Sequence, residues 1–136
     1  MIPDFERISA GFLVKDRKVF VAQRNENNNT PLKWEFPGGK LNDEEQYDTA
    51  LIREFLEEFQ LKIDVVKEIG GAEVGLGNKV LIVMFFLIEG DSNNIKLLQH
   101  KDSKFATLVE LKSLDLCDAD KSFIEKYESE IKEYID

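Results

Sequence analysis

The sequence predicts an α+β domain in which helices pack on a mixed β-sheet. Three observations lead there: two apolar runs of strand length near the N-terminus, an amphipathic helical stretch in the middle, and a long continuous apolar run followed by helical patterns toward the C-terminus. At 136 residues the chain is expected to form one domain, residues 1–136, large enough to bury about two-thirds of its unfolded surface without a disulfide or structural metal.

The elements follow in order. ISAGFLV (Ile8 to Val14) and KVFVAQR (Lys18 to Arg24) flank Lys15, Asp16 and Arg17, and predict a β-hairpin. NENNNTP (Asn25 to Pro31) reads as a polar loop, WEF as a short extended piece, and GGKLND as the approach to a helix from Glu45 to Phe59. Strands are expected over Ile63 to Val74 and Lys79 to Ile88, joined through GLGN. The uninterrupted VLIVMFFLI marks the second as buried on both faces. GDSNN turns the chain into a short strand over Ile95 to Leu98; Thr107 caps a short helix through Leu114, and Asp118 caps a last helix to Ile135. On that last helix Phe123, Ile124, Tyr127, Ile131 and Tyr134 recur at helical spacing, which assigns them to core contact, with a dimer seam as the rival.

Composition narrows the function classes. The net charge of −9, from 27 acidic and 18 basic residues, opposes binding to the backbone of a nucleic-acid polymer. A small anionic ligand remains compatible, because bound divalent cations invert the local field. No apolar run reaches the roughly 20 residues of a membrane helix. MIPDFERIS lacks the blocks of a signal peptide, and Cys117 has no partner for an internal disulfide. These observations lead us to expect a cytoplasmic monomer or homodimer without a membrane or nucleic-acid partner. His100 has no Cys or His cluster around it, so it is assigned to surface or loop rather than to a zinc site.

Two neighbouring stretches carry the chemistry. WEFPGGK (Trp34 to Lys40) sets stiff aromatics and a proline beside a glycine pair, the composition of a rigid loop whose backbone a ligand can approach. REFLEEF (Arg53 to Phe59) places Glu54, Glu57 and Glu58 at i, i+3 and i+4, within an arc of roughly 100°. Leu51, Ile52, Phe55, Leu56 and Phe59 form the adjoining apolar arc, so the glutamates flank the buried side. A solvated acidic face is the bland reading of such a run. Only Leu41 to Glu44 separate the loop from the helix, and this favours a hard divalent cation, Mg²⁺ first, that offsets the mutual repulsion of the carboxylates.

The span Gly39 to Leu61, GKLNDEEQYDTALIREFLEEFQL, resembles the Nudix box: glycine, five residues, glutamate, seven residues, Arg-Glu, apolar, any, Glu-Glu, any, glycine, apolar. Gly39, Glu45, Arg53, Glu54, Phe55, Glu57, Glu58 and Leu61 fall on its places. Gln60 stands where the family has glycine, at an expected local cost of roughly 1 kcal/mol in a left-handed helix cap. Beyond the box, WEFPGGK resembles the loop of the MutT-type branch, AQR (Ala22 to Arg24) its second strand, and LCDADKSFIEKY its closing helix.

The resemblance implies a three-layer α/β/α sandwich around a mixed sheet, and hydrolysis of a nucleoside diphosphate linked to another group with Mg²⁺ or Mn²⁺. In the MutT-type branch this is cleavage of a nucleoside triphosphate to monophosphate and pyrophosphate. It implies Glu54, Glu57, Glu58 and the Gly38 carbonyl as metal ligands, with Glu54 also a candidate for activating water. Arg53 would orient the glutamates, Glu45 would support the loop or the metal shell, and Arg24 and Lys40 would contact phosphate oxygens. The additional loop glutamate of some relatives falls at Gln99, whose amide cannot act as a base.

Asp120 falls where the branch places a base-contacting side chain; the rival role is to enrich the last helix's first turn in negative charge together with Asp118. Phe36, Phe85 and Phe105 are candidates for a nucleobase wall, against plain core packing, and Trp34 is assigned to packing at the loop's root. The function expected is pyrophosphohydrolysis of a nucleoside triphosphate, oxidised or not. The alternatives are a sibling hydrolase of ADP-ribose, a nucleotide sugar or a dinucleotide, and a binding module without catalysis. The intact glutamate set argues against the last.

Overall fold

The computed structural model describes residues 2–136. Its elements are β1 (Asp4–Lys15), β2 (Lys18–Arg24), β3 (Trp34–Glu35), β4 (Gly38–Lys40), α1 (Tyr47–Phe59), β5 (Ile63–Leu76), β6 (Lys79–Gly90), a 3-10 turn (Ser92–Asn94), β7 (His100–Ala106), α2 (Leu108–Ser113), α3 (Asp118–Lys126) and α4 (Glu128–Ile131). The main strand order is β3-β2-β1-β6-β5, with β4 added against β1 and β7 against β2.

β1 organises the sheet. It runs parallel to β6 from Asp4↔Lys79 to Leu13↔Ile88, and antiparallel to β4 at Ile8, Ser9 and Ala10. Only Val14 and Lys15 pair with β2. The expected hairpin is therefore real at its turn, where Asp16 and Arg17 take φ of 52° and 60°, but its strands part at once. The reason is competition, since the backbone groups of β1 that would continue the ladder are taken by β4.

Residues of alternating parity on the strands build an apolar layer on each face. Leu13, Phe20, Phe86 and Ile88 pack against Leu51, Phe55 and Phe59 of α1. On the opposite face Phe12, Val21, Val83 and Phe85 pack against Leu111, Phe123, Ile131 and Ile135 of the C-terminal helices. The result is the expected three-layer sandwich around a mixed sheet. Each fully buried Leu, Ile or Phe contributes about 1.5–3 kcal/mol, and the Phe85–Phe123 stack, with centroids 3.9 Å apart, adds about 0.5–1.5 kcal/mol. Among the described residues no helix is long and apolar enough to cross a membrane.

α1 starts two residues later than expected, after Glu44 turns left-handed at φ 65° and Gln46 is extended. It ends as its sequence suggests, with Gln60 left-handed at φ 51°, its N–H donating to the Leu56 carbonyl and that of Leu61 to the Phe55 carbonyl. The next orphan carbonyls, of Glu58 and Phe59, accept from Leu98 and Lys96 N–H at 3.1 Å each. Ile95 to Leu98 is thus an irregular cap rather than a strand, and the strand lies further on, in β7. Thr107 forms a capping box with Glu110, as its position suggested. α3 is preceded by Cys117 rather than capped by Asp118, and the expected single last helix breaks at Tyr127 before α4.

Candidate active site

Arg53 is the centre of an ion-pair web at the N-terminal side of the site. Its Nε and Nη2 donate to the two oxygens of Glu45 at 2.9 Å, and Nη2 also donates to the Lys40 carbonyl at 3.1 Å. Nη1 donates to Glu54 at 2.9 Å and to Glu57 at 3.3 Å. Hydrogen bonding to Arg53 holds the Glu45 carboxyl down at about 2, helped by the Asn42 N–H. One guanidinium therefore fixes three carboxylates and the end of the glycine loop.

Behind this web the loop and helix meet without a gap. A Cβ on Gly39 would lie 2.2 Å from the Glu54 carboxyl carbon, and one on Gly38 would lie 1.8 Å from the Ser9 carbonyl oxygen. The glycine pair is needed so that β4 can lie on β1 on one side and admit the Glu54 carboxylate on the other.

The glutamates differ in exposure along the helix. The Glu57 side chain is 52% exposed, Glu54 18% and Glu58 7%. Glu58 turns inward to Glu35 and His100, and one ligand atom from each of the three lies within 4.8 Å of the others. Burial pushes the Glu58 carboxyl well above the ordinary carboxylate range, reinforced by hydrogen bonding with Glu54 and by the charges of Glu35, Glu54 and Glu57. Glu58 Oε2 is buried without a hydrogen-bond partner. Such a carboxylate fits a hard divalent cation, which would replace the missing donor.

A cleft of about 420 Å³ opens beyond the glycines. Arg24, Glu35, Phe36, Gly38, Gly39 and Asp120 contribute to its wall, and of the helix glutamates Glu54 abuts that wall at Gly39. Asp120 is 6% exposed and accepts from the Phe36 N–H at 3.0 Å. Burial pushes its carboxyl up to about 8, with the Glu35 charge adding to the effect, and in its protonated form it carries both an O–H donor and an acceptor. Cys117 also lines the cleft, but burial pushes its thiol up to about 12, which makes it a poor nucleophile.

The expected site residues thus separate into two groups. Arg24, Phe36, Gly38 and Asp120 line the cleft; Arg53, Glu54, Glu57 and Glu58 lie on α1, where Glu54 abuts Gly39. Phe36 is 2% exposed and packs against Phe12, Phe85 and Phe123, so it forms a floor rather than a free stacking face. Phe85 is core, and Phe105 packs on Phe20 under the α1 layer. Trp34 packs at the loop's root, as expected, beneath Lys104. Lys40 is exposed and is not part of the cleft wall, but it pairs at 3.2 Å with Glu6, which is, sharing it with Lys79. Gln99 is exposed.

Two residues escaped the sequence reading. His100 is not a surface histidine: its side chain is 5% exposed, stacked on Phe59, and hydrogen-bonded to Glu35 at 2.8 Å. The signal available for Glu35 was its place inside WEFPGGK; for His100 there was none, because strand pairing brings it in from far along the chain.

A helix-borne acid cluster abutting a glycine loop beside a cleft of about 420 Å³ offers the parts that hydrolysis of a phosphoanhydride bond needs. The family follows from sequence comparison: the family model of the NUDIX domain matches residues 6–127, and the chain belongs to this family. It is 33% identical over 89 residues to an 8-oxo-dGTP diphosphatase of Proteus vulgaris, an alignment covering 65% of this chain and 80% of the relative. It is 22% identical over 120 residues to a CTP pyrophosphohydrolase of Escherichia coli (strain K12), covering 88% and 89%. Among solved structures, the MutT protein from Methanosarcina mazei Go1 superposes with a TM-score of 0.83 at 23% identity, over 96% of this chain and 97% of that one.

Proposed function

We propose that this pyrophosphohydrolase cleaves a nucleoside triphosphate, oxidised or unmodified, to nucleoside monophosphate and pyrophosphate in a Mg²⁺-dependent reaction, with Mn²⁺ as substitute. The carrying observation is the buried, unpartnered Glu58 oxygen, one helical turn on from Glu54, which abuts the cleft wall at Gly39. The relatives cited above act on a triphosphate of a purine or a pyrimidine, which supports the substrate class without choosing the base. A divalent cation at the cluster supplies neutralisation of phosphoryl charge and acidification of a water.

Glu54, Glu57, Glu58 and the Gly38 carbonyl are the proposed ligands. Arg53 holds the outer carboxylates in place, so that they need no reorganisation on binding. Glu54, resting against Gly39, is positioned to take a proton from the attacking water. Arg24 neutralises a phosphate at the cleft wall, and Asp120, protonated, presents a donor and an acceptor to a base edge. Lys40 reaches substrate only by releasing Glu6. Attack is expected at the β-phosphorus, so that ¹⁸O from water appears in pyrophosphate. A panel of nucleoside triphosphates, ADP-ribose, a nucleotide sugar and a dinucleotide, scored by monophosphate release with Mg²⁺, tests this. Glu57→Gln should remove turnover of every substrate by at least about 100-fold, whereas Asp120→Ala should reorder the preferences. Preference for a non-triphosphate, or label in inorganic phosphate alone, overturns the reading.

A further inference from the structure

Arg24 enters the cleft from β2 with its nitrogens unequally used. Nε donates to Glu35 Oε1 at 2.9 Å, and Nη1 donates to Asn28 at 2.9 Å and Thr30 at 2.8 Å. Nη2 lies 2.8 Å from the same Glu35 oxygen but donates no hydrogen bond among the described residues. Glu35 holds the guanidinium through Nε and, as an ion pair, through Nη2, and the loop holds it through Nη1, so of its five N–H groups one on Nη2 is left for an anion.

Glu35 is in turn held from its other side. Its Oε2 accepts from His100 Nε2 at 2.8 Å, and the ring is stacked on Phe59 with centroids 5.1 Å apart. His100 Nδ1 is buried without a partner, so Glu35 is the ring's only hydrogen-bond partner among the described residues. A register shift between Gln23 and Arg24 sets Arg24 opposite His100. Such a bulge re-aims side chains, here turning both toward Glu35. His100 Nε2 also lies 3.7 Å from Glu58 Oε1, so the chain of contacts runs from the acid helix to the cleft wall.

We propose that Glu35 and His100 are positioning residues that set the Arg24 guanidinium with its Nη2 aimed at a substrate phosphate. This rests on the reading of Arg24 as a phosphate contact. Glu35 and His100 act through Arg24 and do not themselves touch substrate. The position of Arg24 is thereby coupled to the end of the helix that carries Glu58, giving the nucleotide pocket and the acid cluster one shared support.

The test is a set of double-variant cycles read by calorimetric binding of α,β-methylene CTP and α,β-methylene dGTP with Mg²⁺, alongside steady-state kinetics. Arg24→Ala should weaken binding of at least one probe by about tenfold or more, the scale of a lost charge-assisted contact. Glu35→Gln and His100→Ala should each weaken it by about three- to tenfold, with the loss larger in KM than in kcat. His100→Gln, which keeps a donor near the Nε2 position, should recover most of the His100→Ala loss. In the Arg24→Ala background both Glu35→Gln and His100→Ala should cost less than about twofold. If those losses instead multiply with that of Arg24→Ala, or if His100→Ala binds like the parent, the positioning role is overturned while the phosphate contact stands. If Arg24→Ala binds both probes like the parent, the phosphate contact itself fails and takes this role with it.

Discussion

The two ends of the acid cluster obey opposite rules. Around Arg53, Glu45, Glu54 and Glu57 each have a cationic partner and the Glu45 carboxyl is held low. Around Glu58, and at Asp120 in the cleft wall, the carboxyls are buried and pushed high, and Glu58 Oε2 has no donor. The paired carboxylates are held in place by Arg53, whereas the buried Glu58 oxygen without a donor marks where a ligand is awaited.

Glu58→Gln separates the ends most sharply. It should abolish turnover, yet in metal-free protein it should leave stability at pH 8 equal or raised. The sign follows from the raised carboxyl: its proton favours the folded state, that contribution is complete below the model-compound value of 4.5, and it is lost as pH rises above it. Thermal melts with and without Mg²⁺ check this, since the cation should stabilise the parent and not the variant. A variant that melts far below the parent at pH 8 would mean that Glu58 is already satisfied in the folded protein.

Arg53→Ala tests the opposite end. It leaves three carboxylates facing one another and should lower kcat by about 10- to 100-fold, as loss of a group orienting metal ligands does. Asp120→Asn comes next. The parent's Asp120 contribution declines as pH rises from its ordinary 3.8 toward about 8, and asparagine carries no such decline. The melting temperature of the variant relative to the parent should therefore climb by several degrees between pH 5 and pH 8.5. The smallest effect belongs to Gln60→Gly, where relief of the left-handed φ of 51° should raise urea stability by about 0.5–1 kcal/mol and leave kinetics alone.

Local chemistry was legible in the sequence and long-range pairing was not. Helix spacing placed Glu54, Glu57 and Glu58 together, and the position of Gln60 foretold a left-handed cap that the chain adopts without glycine. β6 announces itself as a continuous apolar run, whereas β7, HKDSKFA, is mostly polar and buries only Ala106, so hydropathy hides it. Its identity as a strand comes from ladder bonds to β2, which no local pattern encodes. Glu35 and His100 stayed invisible as a pair for the same reason, being 65 positions apart and joined only by those ladders.

The bonds from Lys96 and Leu98 to the last carbonyls of α1 give an exposed, irregular stretch the fate of a helix end. Its two inward amides should resist deuterium far longer than their accessibility suggests, and should lose protection together with the final turn of the helix. Extra residues spliced in near Asn93 leave that stapling in place. A single residue inserted after Leu98 pulls the histidine out of step with the helix it is fastened beside.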